Sequence, residues 1–175
     1  TYSVSYDWGS LDLKSQVPNG DNQLKRNESY KVLAPSNVAI AEAAEKNLAF
    51  AGWKYNKSGT IYQVDDSFSV SENVTLTAQW TQLYTVSYNL DGGNWKDGET
   101  VGPANYPENA PVFVTPNEPE RNDYDFMGWE ITAPEEDKPT LQNGKFTMPA
   151  ANVVLTAQWE LIEAPEPALV TLTAN

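Results

Sequence analysis

The stretch Asn73-Val-Thr-Leu-Thr-Ala-Gln-Trp80 recurs as Asn152-Val-Val-Leu-Thr-Ala-Gln-Trp159, with Thr75 against Val154 the single difference. Within it Val74, Leu76, Ala78 and Trp80 alternate with Thr75, Thr77 and Gln79. Alternation with a period of two places one apolar face on a core and the other in water, so the stretch predicts a half-buried strand. Two more anchors recur in the same order. Tyr2-Ser-Val-Ser-Tyr-Asp-Trp8 returns as Tyr84-Thr-Val-Ser-Tyr-Asn-Leu90, and Phe50-Ala-Gly-Trp53 returns as Phe126-Met-Gly-Trp129. The offsets are 82, 76 and 79 residues. Similar offsets in one order mean duplication, and their scatter means insertions and deletions in the loops.

The opening anchor also alternates, with Tyr2, Val4, Tyr6 and Trp8 on one side, and it predicts a strand in each copy. Phe-x-Gly-Trp predicts a third strand, its glycine giving a neighbouring ring or backbone room to approach. Asn19-Gly20, Asp91-Gly92-Gly93, Asp97-Gly98 and Asn143-Gly144 are turn signals. Leu141-Gln-Asn-Gly-Lys-Phe146, with extended flanks around Asn-Gly, predicts a hairpin leading toward the last strand.

Between the shared strands the copies differ. Ser36-Asn-Val-Ala-Ile-Ala-Glu-Ala-Ala-Glu-Lys-Asn47 is rich in helix formers, with Ser36 or Asn37 placed to cap, and predicts a helix of two to three turns in the first copy. The matching stretch of the second copy holds Pro103, Pro107, Pro111, Pro116 and Pro119, which forbid a long helix. Thr81-Gln-Leu83 alone separates Trp80 from Tyr84, a linker short enough to restrict motion between the modules. Residues 161–175 read as an acidic, Pro-containing linker, with Leu169-Val-Thr-Leu-Thr173 as the start of a further strand or a tail.

Composition narrows the chemistry. The 175 residues include six Trp and nine Tyr, enough aromatic surface for modest cores. There is no Cys and no His, which removes disulfides, cysteine nucleophiles, Cys-based zinc sites and the commonest general base. The net charge of −13 disfavours nucleic acid and anionic surfaces and favours a soluble monomer. No apolar run approaches a membrane span. A chain opening at Thr1 reads as a piece of a larger protein.

The opening Tyr-x-Val-x-Tyr strand with Asp91-Gly92-Gly93 after it, then Phe-x-Gly-Trp, then the closing Val-x-Leu-x-Ala-x-Trp, resembles the Listeria–Bacteroides repeat, also called the internalin B-repeat. The resemblance covers residues 1–81 and 82–160. The first copy departs from it, with Asp7-Trp-Gly-Ser10 in place of the double glycine and with its helical insertion. The resemblance implies a small β-grasp-like fold in tandem on bacterial cell-surface proteins, often in adhesion, with no catalytic residue and no cofactor. The expected architecture is therefore α+β, mostly β: two small β-grasp-like modules, the first with a short helix.

Function is expected in the parts the copies do not share. Trp53, Trp129, Trp80 and Trp159 recur at equivalent places and are read as core. Trp8 and Trp95 lack a Trp counterpart, and Trp95 lies in the turn-rich Gly92-Gly-Asn-Trp-Lys-Asp-Gly98. Both are the candidate ligand-binding residues, stacking on a host or microbial glycan or meeting a surface protein, and the alternative for Trp95 is a ring that folds back over its own sheet. Asp91, Asn94, Asp97 and Glu99 lack the ligand spacing of a calcium loop and are read as turn residues, so no metal site is assigned. Asp65-Asp66 and Glu135-Glu136-Asp137 are read as solvated loops, because modules of this size seldom wall a catalytic cleft. The expected protein is a non-catalytic, extracellular repeat module for adhesion or ligand binding. The alternative is a passive stalk that projects another domain from the envelope.

If Trp80 and Trp159 pack each closing strand onto its own module, replacing either by Ala lowers unfolding free energy by about 3–5 kcal/mol in urea titrations. A loss under about 1 kcal/mol would place the residue outside the core.

Overall fold

The computed structural model describes residues 1–163, a mostly β chain with one α-helix among them, in two compact units, Thr1–Tyr84 and the described residues from Thr85 onward. Unit one comprises β1 (Tyr2–Asp7), β2 (Asp21–Leu24), β3 (Glu28–Lys31), α1 (Asn37–Ala44), β4 (Leu48–Tyr55), β5 (Ile61–Tyr62), β6 (Ser67–Val70) and the first part of β7 (Val74–Asn89). Unit two takes the rest of β7, then β8 (Asn94–Trp95), a 3-10 turn (Lys96–Gly98), β9 (Ala104–Pro107), β10 (Pro111–Phe113), β11 (Pro119–Glu120), β12 (Tyr124–Ala133), β13 (Lys145–Thr147) and β14 (Val153–Leu161).

The repetition in sequence is a repetition in pairing. In unit one, β1 lies parallel to β7, with Val4 opposite Val74 and Tyr6 opposite Leu76. β4 lies antiparallel on the other side of β7, with Trp53 opposite Ala78. β2 pairs with the free side of β1. In unit two, β7 takes the part of β1: Val86 lies opposite Val153 and Tyr88 opposite Leu155 in the parallel pair with β14. β12 lies antiparallel to β14, with Trp129 opposite Ala157, and β9 pairs with β7. A small second sheet completes each unit, β3 with β6 and β10 with β13.

The predicted alternation fixes which side is buried. Val4 and Tyr6 of β1 are buried between exposed Ser5 and Asp7, and Val74, Leu76 and Ala78 of β7 are buried as well. Unit two buries Val86, Ile131, Val153, Leu155 and Ala157 in the same manner. Trp80 and Trp159 are half-buried. Each gains what Val or Leu could not, an indole N–H that donates to the opening strand's end: Trp80 Nε1 to Trp8 O at 3.2 Å, Trp159 Nε1 to Leu90 O at 3.0 Å. Asn73 and Asn152 make the matching tie at the other end, their Oδ1 atoms accepting from Ser3 N at 3.0 Å and Thr85 N at 2.8 Å.

The helix forms where the sequence places it. Ser36 caps it, its hydroxyl accepting from Ala39 N at 3.1 Å, and Ala39 and Ala43 are fully buried. Two expectations need correction. Asn143 (φ 50°) and Gly144 (φ 70°) do make a two-residue turn closed by the Gln142–Lys145 bridge, yet the Leu141 flank is not a strand. β13 pairs instead with β10, Val112 opposite Phe146, because Phe146 is buried there. The Phe-x-Gly-Trp glycine is also not explained by space alone. In both copies the residue before it is the extra one of a β-bulge: Phe50 opposes Trp80 and Gly52 opposes Gln79, and likewise Phe126 opposes Trp159 and Gly128 opposes Gln158. The bulge holds Gly52 at φ 130° and Gly128 at φ 117°. Crowding exists in unit one alone, where a Cβ on Gly52 would stand 2.6 Å from Ile61 Cγ2, whereas nothing lies within 4 Å at Gly128. Of the carboxyl-terminal stretch, Leu161 extends β14 and Ile162 N donates to Asp123 O at 2.9 Å; the strand expected at Leu169–Thr173 lies outside the described residues.

This difference is measurable. Gly128→Ala costs about 1–3 kcal/mol from backbone strain. Gly52→Ala costs more in the same denaturation assay, because strain and the collision with β5 add.

Candidate functional site

Each unit gathers its repeated aromatics into one cluster, and the two clusters are finished differently. In unit one Trp53 is fully buried. Trp8 stacks on it at 5.6 Å and 23°, Tyr6 meets it edge-on at 4.7 Å and Phe50 at 5.0 Å. All three indoles donate to backbone: Trp8 to Ser15 O at 2.9 Å, Trp53 to Leu33 O at 2.9 Å and Trp80 to Trp8 O. α1 packs on β4 beside them. Glu42 of α1 pins the loop after β1, its Oε2 accepting from Lys14 N at 3.0 Å and from the Ser15 amide and hydroxyl.

In unit two Trp129 meets Tyr88 at 4.9 Å, Phe126 at 5.2 Å and Trp95 at 5.7 Å, and Phe126 meets Trp159 at 5.6 Å. No α-helix lies among the described residues of this unit, and Trp129 and Trp95 are half-buried, where Trp53 and Trp8 of unit one are buried. Their indole nitrogens have no hydrogen-bond partner among the described residues. No buried side-chain nitrogen or oxygen there lacks a partner either, so both N–H groups reach the surface. The result is an aromatic cluster, partly accessible, with two indole donors unbonded among the described residues.

Trp95 comes from β8, which pairs with β11, Trp95 opposite Pro119. Asp91 (φ 45°) and Gly92 (φ 83°) turn the chain back, closed by Gly93 N to Leu90 O at 3.0 Å. A Cβ on Gly93 would stand 2.5 Å from the Trp159 ring, which accounts for the second glycine. Beside this turn is a groove of about 310 Å³, its lining including Lys96, Glu118, Arg121, Tyr124, Phe126 and Trp159. Arg121 is held in place: its guanidinium lies 4.0 Å from the Tyr124 ring centroid and donates to Asp91 O at 3.0 Å.

The two sequence-nominated tryptophans are thus placed differently. Trp8 is 8% exposed and its ring faces are taken by Trp53 and Trp80, so it has no surface for a ligand. Trp95 is half-buried, packed against Trp129 and Tyr88 with part of its ring accessible. They do one packing job from different chain positions, each laying an indole against the Phe-x-Gly-Trp tryptophan. Leu90 in place of Trp, with a new Trp five residues on, was the sequence signal for that exchange. Trp129 and Tyr88, framework positions by their strand period, pack against Trp95 in the same cluster. The acidic positions do local work. Asp66 Oδ2 accepts from Gln63 N at 2.7 Å, Asp65 pairs with Lys31 at 2.7 Å on the surface, and Glu99 accepts from Asn117 Nδ2 at 2.7 Å. Among the described residues no group of three or more acidic side chains could hold a metal ion.

Tyr hydroxyls tie the small sheet to the large one. Tyr6 Oη accepts from Leu33 N at 2.8 Å and lies 3.1 Å from Tyr30 Oη, and Tyr88 Oη accepts from Thr115 N at 2.9 Å. Burial raises the pKa of Tyr6, Tyr30, Tyr55 and Tyr88 above the ordinary tyrosine value. The folded state therefore favours the neutral phenol. That contribution is complete below the unfolded value of about 10 and is lost as pH rises through the higher folded values. Unfolding midpoints measured across the alkaline range should fall from about pH 10 upward, and Tyr55→Phe, which removes no hydrogen bond within the described residues, should soften the fall.

Comparison with known proteins fits this duplicated frame. The Listeria-Bacteroides repeat domain matches residues 2–79 and again residues 84–158. No curated protein matches the chain. Among solved structures, Streptococcal High Identity Repeats in Tandem (SHIRT) domains 3-4 from a cell surface protein align at 14% identity, over 92% of this chain and 98% of that one, with a TM-score of 0.26. The two family matches together span most of the sequence, and the chain belongs to the Listeria–Bacteroides repeat family as two tandem copies.

Proposed function

We propose that this chain is a non-catalytic bacterial cell-surface module that binds a glycan or a protein through the aromatic face of its second copy. The observation that carries the reading is the contrast between the clusters. Unit one buries Trp8 and Trp53 and has every indole nitrogen bonded. Unit two leaves Trp95 and Trp129 half-buried, with N–H groups that have no partner among the described residues. Aromatic rings offer large contact area at low entropic cost and stack on sugar or peptide faces, and a free indole N–H adds a directional donor. A β-grasp-like frame is supported by the parallel opening and closing strands at the centre of each unit. A non-catalytic role is supported by the lack of His and Cys and by acidic residues committed to turns and surface pairs. Among the described residues no helix is long and apolar enough to cross a membrane. An extracellular location follows the family resemblance.

The test is a screen of the chain against glycan arrays, mucins and matrix proteins, followed by Trp95→Ala. Binding should fall at least about tenfold, while circular dichroism and the melting curve report an intact fold. Unchanged binding in that variant sinks the aromatic-face reading. Absence of any binding partner favours the stalk.

A further inference from the structure

The outer edge of β4 in unit one is filled by β5, which lies antiparallel with Tyr62 opposite Trp53 and Ile61 opposite Lys54. β12 is the equivalent strand of unit two. It is the longer of the two, and among the described residues its outer edge is bridged at its first residue alone, Tyr124 N donating to Arg121 O at 3.2 Å, with nothing paired along the rest. The empty space around Gly128, where Gly52 is crowded by β5, marks the vacancy. A second bulge follows the first, with Ile131 opposite Leu155 and Ala133 opposite Val154. Between the bulges lies a regular window, Gly128-Trp129-Glu130-Ile131.

Charge says what fits there. Residues 1–84 carry nine Asp and Glu against seven Lys and Arg, a net charge of −2; residues 85–163 carry 14 against four, a net charge of −10. β12 itself bears Asp125 and Glu130 and no Lys or Arg, and the Glu135-Glu136-Asp137 loop follows it. Where unit one has Lys54 under its bound strand, unit two has Glu130, exposed. Acidic residues on an unpaired edge repel a second copy of the same acidic strand. They attract a basic one, since opposite charges directly across a ladder stabilise it.

We infer that the free edge of β12 accepts a basic, extended segment of another polypeptide by antiparallel strand addition. Its register is that of β5 on β4, so a Lys or Arg lies opposite Glu130 and the next residue, aromatic or β-branched, lies opposite Trp129. Main-chain hydrogen bonds supply the affinity and these two positions the selectivity. The inference shares Trp129 with the aromatic-face reading but is separable from it, because it rests on backbone groups and Glu130 rather than on the Trp95 ring.

The probe is the peptide Thr-Lys-Val-Lys-Tyr-Lys-Val, titrated into the intact chain at low salt and followed by amide chemical shifts and hydrogen exchange. The expected result is protection concentrated at residues 124–133 and affinity that weakens with added salt. N-methylation of alternate amides gives two further peptides of equal charge. One set faces the ladder and should cost about tenfold or more, and the other set faces outward and should cost little. Glu130→Lys should weaken the basic peptide and admit its Glu-substituted analogue, with the melting curve confirming the fold. Trp95→Ala should leave peptide binding intact, even if it abolishes capture of a glycan or matrix protein. Equal loss in both methylated peptides, equal binding of the acidic analogue by the unaltered chain, self-association through this edge in sedimentation runs, or no binding at low salt would each overturn the inference.

Discussion

Each module depends on one tie: its last strand lying parallel beside its first. The pairs Val4–Val74 and Val86–Val153 join residues about 70 positions apart in the chain. Closing so long a loop is entropically unfavourable. A parallel ladder alone is weak compensation, so both ends are fastened by side chains. Asn73 and Asn152 bond the backbone where the opening strand begins, and Trp80 and Trp159 bond it where that strand ends. The four residues recur because they hold the clamp. Everything between the two strands is free to vary as long as it returns to the same place.

That freedom is visible in how the copies cover their aromatic clusters. Unit one uses Trp8 at the end of β1 and a capped helix. Unit two replaces Trp8 with Leu90, returns through a double-glycine turn, and supplies Trp95 from β8. The same ring-on-ring contact is reached by two routes. The second route needs Gly93, because a side chain there would occupy the space of the Trp159 ring. It leaves Trp129 half-buried, whereas the first route buries Trp53 completely.

The strand framework was legible in the sequence because alternation with a period of two survives in Tyr2–Trp8 and Val74–Trp80, and because duplication repeats it. The helix was legible from its Ala-rich run and the Ser36 cap. The hydrogen-bonding role of Asn73 and Trp80 was not, since periodicity speaks of burial and says nothing of what a polar atom reaches. The exchange of Trp8 for Trp95 was hidden for a similar reason. Alignment compares positions, while packing compares the space a ring fills. The pairing of β13 with β10 was missed because Asn143-Gly144 is so strong a local signal that it suggests a longer hairpin than the burial of Phe146 allows.

The asymmetry of charge completes this picture of one frame with two finishes. Unit one, nearly neutral, fills the edge of β4 with its own β5 and tolerates Lys54 beneath it. Unit two, strongly acidic, leaves β12 unpaired beyond the Arg121 bridge at Tyr124 among the described residues and turns the same position into Glu130. An open edge of neutral, flat strand invites pairing with any like chain. Two bulges break the flatness of β12, and its acids exclude copies of itself. The bulge at Phe126-Met127-Gly128 belongs to the shared frame, since unit one has it as well at Phe50-Ala51-Gly52. The second bulge and the acids do not belong to it. The features that govern what can approach this edge are therefore additions of the second copy, made at the one place where the first copy filled the gap from within.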